Sequence, residues 1–409
     1  MINLTKHFHS DNQNFFEIGS IPNAAIGLSI VIGSQLANEY GAGIAICSIV
    51  VGNLILWIIG ISVISINEQH GNTGIDNIKL FFGRVGGLIS SLILMFAFLN
   101  WYAFHLTFST QALNQLLHLD NNLVLDLSLR FGVMLGLLCA LLSVGGIRML
   151  KRLSIIAFPL LLIFHSYAIS ISDQSITLKG TFGLSFYAVM TSVLLLLPGV
   201  INFPTFFRHA RSKAHAYLAL TMFVVFTTFF EISTIWINFY SAVSGFNIIV
   251  TAVFISIMLT TCNLLNIYLA SACWRTIVPN FESPKGFAII GLFGTLTYTF
   301  IQISSPVQFL QELTNSYIAC LGVVLMFAFA ARIMIKHRPR KFDKLMNLVT
   351  WLFGCVIATI YEIKPAYKGL PALLNGLTAS ILFFMTIIFI EEIVWALRKK
   401  QRAHVAKVK

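Results

Sequence analysis

Charged side chains are scarce in this 409-residue chain: Asp, Glu, Lys and Arg together make up 10%, against 57% hydrophobic residues. A soluble globular domain carries about 25% charged residues. With a mean hydropathy of +0.84, that class is excluded. Paired cysteine motifs are missing as well. Cys47, Cys139, Cys262, Cys273, Cys320 and Cys355 all fall in apolar runs and no two have CxxC spacing, so they read as buried structural thiols. There is no GxSxG, no HExxH, no phosphate-binding Walker loop and no pair of carboxylates in a polar loop. An enzyme has no residues to stand on, and no cofactor is expected. The first seventeen residues, MINLTKHFHSDNQNFFE, lack the apolar core of a cleaved signal peptide, so the first apolar segment is expected to stay in the mature protein.

What the chain has in abundance is long apolar runs. A helix that crosses a hydrocarbon core about 30 Å thick needs about 20 apolar residues. About twelve segments qualify: 18–41, 44–66, 86–115, 127–145, 153–172, 183–206, 216–240, 248–274, 286–303, 313–335, 345–363 and 372–396. The net charge of +12 does not describe a nucleic-acid surface, because the basic residues sit in short clusters between these runs. With the N-terminus placed inside, every Lys and Arg except Arg130, Lys179, Lys364 and Lys368 falls on the cytoplasmic side. That alternation predicts an even number of spans with both termini in the cytoplasm. The fold class is an all-α polytopic membrane protein. Its partners are the bilayer, a small-molecule substrate and a coupling cation, Na+ or H+, and no nucleic acid.

Two spans are interrupted. From Thr191 the sequence reads TSVLLLLPGVINFPTFFRHARSK, with Pro198, Gly199, Asn202 and Pro204 inside the apolar run. From Ile18 to Gly41, Pro22, Asn23, Gly27, Gly33, Ser34, Gln35 and Asn38 play the same part. Backbone groups freed at membrane depth survive only inside protein or against a wet cavity, and paired breaks of this kind mark the binding site of a secondary transporter. The break near the N-terminus falls in span one and the one after Thr191 in span six, so the expected organisation is a cytoplasmic N-terminus (1–17), two inverted repeats of five spans (18–172 and 183–335), two added spans (345–396) and a basic tail (397–409). The substrate is expected between the two breaks.

Span three places Trp101 and His105 four residues apart on one helix face. An aromatic plane beside a hydrogen-bonding group suits a flat heteroaromatic ligand, although Trp101 alone serves equally for packing. Span eight carries Thr260, Thr261, Asn263 and Asn266. Their oxygens suit a sodium ion, helped by carbonyls of an unwound partner near Gly33, while small polar residues also simply join membrane helices. Glu231 lies within span seven, where a charge costs about 2.5–3.5 kcal/mol. It is either a proton-coupling carboxylate or a neutral, hydrogen-bonded one. His165 in span five reads as a satisfied structural histidine.

Val51, Gly52 and Asn53 in span two resemble the Ile-Gly-Asn of the nucleobase-cation-symport family, the cytosine and purine permeases with their hydantoin and allantoin relatives. Gly146, Ile147, Leu153, Ser154, Ala157 and Pro159 resemble its Gly-Ile and Leu-Ser-x-x-Ala-x-Pro run. Phe207, Arg208 and Arg211 sit where it carries an aromatic-Arg signature. The resemblance implies a leucine-transporter type of fold. It implies that Trp101 stacks on substrate, that His105 stands where hydantoin transporters have Gln, and that Thr260 and Thr261 belong to a sodium site. It further implies that Asn266, or Asn263 on a shifted alignment, contacts substrate together with Pro198, Gly199 and Gln35 at the breaks. Phe98 stands in place of a substrate-binding Gln, Leu194 to Leu197 in place of small polar residues, and Thr205 in place of an acid. The implied function is import of a small planar nitrogenous compound with a cation across a bacterial inner membrane. An amino-acid or polyamine permease of the same fold is the nearest alternative, then a transporter-derived sensor or a channel.

Overall fold

The computed structural model describes residues 13–25, 29–66, 73–117, 121–171, 181–236, 248–278, 284–304, 307–334, 343–363 and 372–408. Among them are fourteen helices and no named strand. Span one is split into α1 (Phe15–Ala24) and α2 (Ser29–Tyr40). Spans two to five are α3 (Ala42–Ile66), α4 (Gly74–Leu117), α5 (Asn121–Ser143) and α6 (Gly146–Ile171). Span six is α7 (Phe186–Asn202) followed by the one-turn α8 (Pro204–Phe207), and span seven is α9 (Lys213–Ser233). Spans eight to twelve are α10 (Ile248–Ile277), α11 (Pro284–Ser304), α12 (Val307–Met334), α13 (Asp343–Ile363) and α14 (Ala372–Val408).

Each of the twelve expected segments therefore coincides with a helix or a split helix. Eight of the helices are by themselves long and apolar enough to cross a membrane, or up to nine with the bent pair Leu129–Ser143 and Gly146–Tyr167 taken as one span. Their outward faces are apolar too: Leu141, Ile163 and Phe389 are about two-thirds exposed or more. In water such belts would drive association; here they are what hydrocarbon solvates.

Some boundaries differ from the expectation. The helix of span three begins at Gly74 and turns at Gly83, whose φ of 75° only glycine adopts without strain. The basic tail is not a separate segment, since α14 continues through it to Val408.

The packing has an internal symmetry. Span three lies on eight, four on nine and two on seven. Span one packs on seven as two packs on six, and one on five as six on ten. Span three meets nine as four meets eight. Exchanging each span with the one five later returns these same pairings, as two structurally equivalent five-span halves require. Spans eleven and twelve pair with each other and against span ten.

Candidate functional site

The interruption in span six falls later than the sequence suggested. The helix runs through Pro198 and Gly199 and stops at Asn202, with Phe203 as its cap and Pro204 opening α8. A proline is tolerated at the first turn of a helix, where its missing N–H costs nothing. Side chains then tie up the break. Thr205 Oγ1 donates to Asn202 Oδ1 at 2.8 Å and accepts from the Gly74 amide at 3.1 Å. Tyr268 donates to the Thr205 carbonyl at 3.4 Å, and His209 Nε2 lies 3.2 Å from the Tyr268 hydroxyl. In span one the helix ends at Ala24 and resumes at Ser29, with Pro22 in its last turn. Asn23 Nδ2 donates to the Gly19 carbonyl at 2.6 Å.

A cavity with about 90 Å³ of free space lies between these interruptions, room for several waters at about 10–15 Å³ each. Pro22 and Ala25 bound it from α1; Leu195, Leu196, Pro198, Gly199 and Phe203 from span six. Phe98, Trp101 and His105 come from α4, Phe223 from α9, and Leu265, Asn266 and Leu269 from α10. Five residues expected at the substrate are thus together: Trp101, His105, Pro198, Gly199 and Asn266. A crevice of about 570 Å³ between α3, α7, α12 and α14 is larger, but its lining has only Tyr187 and Thr378 as polar side chains. A ligand site needs convergent polar groups on an apolar wall, which the smaller cavity has.

Those polar groups form one network. His105 Nδ1 is 3.1 Å from Asn266 Nδ2 and 3.3 Å from Asn263 Oδ1. One ring nitrogen either accepts from Asn266 or donates to Asn263, so the choice of tautomer selects the partner and gives Nε2 the opposite role. Asn266 lines the cavity, while Asn263 stands behind the histidine. Trp101 packs beside His105 at 6.1 Å between ring centroids and edge-on to Phe104 at 5.8 Å. Phe203 packs edge-on to Phe223 at 5.0 Å, which closes the wall opposite α4. No Asp, Glu, Lys or Arg is among the described lining residues. Phe203 and Phe223 were missed in the sequence; the aromatic cluster of NFPTFF beside the break was the available signal.

Other expectations are corrected. Gln35 is exposed on α2 and does not line the cavity. Gly33 is not at an unwound stretch. It is within helical α2, so close to α9 that a Cβ there would lie 1.7 Å from the Glu231 carbonyl oxygen and 2.4 Å from Thr234 Oγ1. The carbonyls expected near Gly33 therefore have no unwound stretch in α2 to come from, and residues 26–28 lie outside the described residues. The two threonines also part company. Thr260 stands beside the Cys139 sulfur of α5, whereas Thr261 is fully buried and donates to the Ile257 carbonyl at 2.9 Å. Glu231 is fully buried and away from the cavity; its Oε2 accepts from Asn53 Nδ2 of α3 at 2.6 Å. His165 bonds to Ser233 and packs on Phe229 and Phe230.

The fold defines the class: an all-α polytopic membrane protein. The chain superposes on Mhp1, a nucleobase-cation-symport-1 family transporter solved closed with bromovinylhydantoin bound, with a TM-score of 0.66 at 15% identity over 94% of both chains. It superposes on a Na+-coupled sialic acid symporter, solved substrate-bound and outward-open, with a TM-score of 0.65 at 13% identity over 93% of this chain and 91% of that one. A manganese transporter of Eremococcus coleocola gives 0.54 at 12% identity over 98% and 96%. No protein-family model matches the sequence and no curated protein does. At these identities the likeness establishes the fold.

Proposed function

We propose that this chain is a cation-coupled secondary transporter importing a small, planar, uncharged nitrogenous compound, a nucleobase or related heterocycle, by alternating access. The observation that carries this reading is the cavity between the two interrupted spans: Trp101, Phe98, Phe203 and Phe223 supply aromatic surface, and His105 with Asn266 supplies hydrogen bonds. Stacking would hold the ring and the His105–Asn266 pair would read its edge. The absence of a charged lining residue argues for an uncharged ligand, since a buried ion needs a partner.

The same feature weighs against an amino-acid or polyamine substrate. The carboxylate of an amino acid would need backbone amides freed at a break, and Gly33 and Gly199 are both within helices. Thr261 is the residue left of the expected sodium pair, and Glu231 would carry the proton were the coupling ion H+. The likeness to a Na+-coupled symporter supports sodium.

In this reading spans one, two, six and seven rock as a bundle against the other core spans, the repeats run 18–172 and 183–335, and the protein sits in a bacterial-type inner membrane with both termini cytoplasmic. The basic clusters support that orientation. The test is uptake of radiolabelled cytosine, uracil, hypoxanthine and allantoin into proteoliposomes, with a sodium or a proton gradient imposed separately. Saturable, gradient-driven uptake of one compound is the expected result. Binding without accumulation would make the chain a sensor, and flux that neither saturates nor needs a gradient would make it a channel.

A further inference from the structure

A second polar group is buried between α3, α7 and α9, outside the cavity. At its centre Glu231, 0% exposed, receives one hydrogen bond on Oε2 from Asn53, while its Oε1 has no partner. Asn53 Oδ1 has none either. Ser192 of α7, wholly buried, stands beside the carboxylate, yet its hydroxyl makes no well-formed hydrogen bond. Thr227 is one turn before Glu231 on the same face of α9. It is also wholly buried, and its hydroxyl lacks even the helix carbonyl that serves most buried threonines here. More than about 90% of buried polar groups in folded proteins are paired. Three unpartnered oxygens, one of them the carboxylate's, and a serine hydroxyl only loosely set against that carboxylate leave a ligand unaccounted for.

The described residues offer no counter-charge. Among the described residues, the ionisable groups on the helices packed against α9 are Glu17 on α1, Glu39 and Tyr40 on α2, and Cys47 on α3. On α7 there is Tyr187, and on α9 itself Lys213, His215 and Tyr217. His215, the nearer of the two basic groups on α9, is about 24 Å along the helix from Glu231 at 1.5 Å per residue. His165 of α6 reaches α9 at Ser233 and Phe230, round the helix from the Glu231 face. One glycine bears on the pocket: Gly52 lets α3 approach Ser192 to where a Cβ would be 2.9 Å from its Oγ.

We propose that Asn53, Ser192, Thr227 and Glu231 form a binding site for a hard monovalent metal cation, sodium, separate from the candidate site at Thr261. All the unpartnered donors are oxygens, which is the preference of a hard cation. A single positive charge neutralises the carboxylate, which without one must take up a proton to stay buried; a divalent ion would leave an excess charge in the same dry pocket. The use of this site for coupling rests on the transport reading, but its occupancy does not.

The experiment is therefore binding of radioactive sodium to the detergent-purified full chain without any organic substrate, with choline chloride holding ionic strength constant. Wild-type protein should bind sodium saturably. Glu231→Gln, which preserves shape and the contact to Asn53, should weaken that site by about 100-fold, and the isosteric Thr227→Val by about 10-fold, the span found for losing partners of a metal site. Thr261→Ala should leave this equivalent of sodium bound. Wild-type affinity and stoichiometry in monodisperse Glu231→Gln and Thr227→Val would overturn the proposal. So would a wild type that binds no sodium but takes up a proton lost in Glu231→Gln, which would make Glu231 a proton site only. Sodium binding together with failure to take up any nucleobase would overturn the proposed substrate and leave this site standing.

Discussion

Gly199→Ala separates a binding wall from a packing contact better than any other substitution in this cavity. Gly199 faces the cavity, and a Cβ built there meets only Phe203 Cε1, at 3.8 Å, an ordinary van der Waals distance. The protein thus has room for the methyl group. Alanine should also suit the helix better than glycine, by up to about 0.5–1 kcal/mol in a helix interior. A ligand seated against this wall has no such room. Forcing a methyl group into a filled site costs about 1–3 kcal/mol, which is about a 5- to 150-fold loss of affinity. The assay is equilibrium binding, in detergent, of whichever compound the uptake panel identifies, together with thermal unfolding of the same preparation. Affinity should fall by that factor while stability holds or rises. Unchanged affinity would refute the placement of the ligand at the Pro198–Gly199 wall. Lost stability would refute the geometry that leaves the space open.

Trp101→Ala should raise the apparent Km for uptake by about 2- to 12-fold from the stacking contribution alone, about 0.5–1.5 kcal/mol, and Trp101→Phe should recover most of it; an unchanged Km would remove Trp101 from the substrate. Thr261→Ala should weaken sodium dependence of uptake with little change in fold, because its hydroxyl bonds only within its own helix; wild-type uptake indifferent to sodium would end that assignment. Gly33→Ala should destabilise the protein by at least the 1–3 kcal/mol of ordinary overpacking, since its Cβ would meet a backbone oxygen at 1.7 Å and α2 must move off α9; a melting temperature equal to wild type would contradict the packing of these two helices.

The amino-acid pattern alone was enough to place the apolar helices along the chain and to pick out the two that are interrupted. The reason is that hydrocarbon as a solvent demands about 20 contiguous apolar residues and punishes every free backbone group, and both demands are written locally. It also brought out Trp101, His105 and Asn266, because a polar side chain inside an apolar run usually faces the protein interior. Local pattern could not say which neighbour each face meets. In helices apolar all round, periodicity groups residues on a face without aiming that face. Hence Gln35, polar and just past a break, turned outward, and Thr260 and Thr261 turned to different surroundings. Contacts between distant helices put the span-six break at Phe203, where Tyr268 bonds the Thr205 carbonyl, and carried the helix intact past Pro198 and Gly199. Only such contacts joined Asn53 to Glu231, 178 residues apart. Beside it Gly52 lets α3 come close to Ser192 of α7, an approach no local pattern announces.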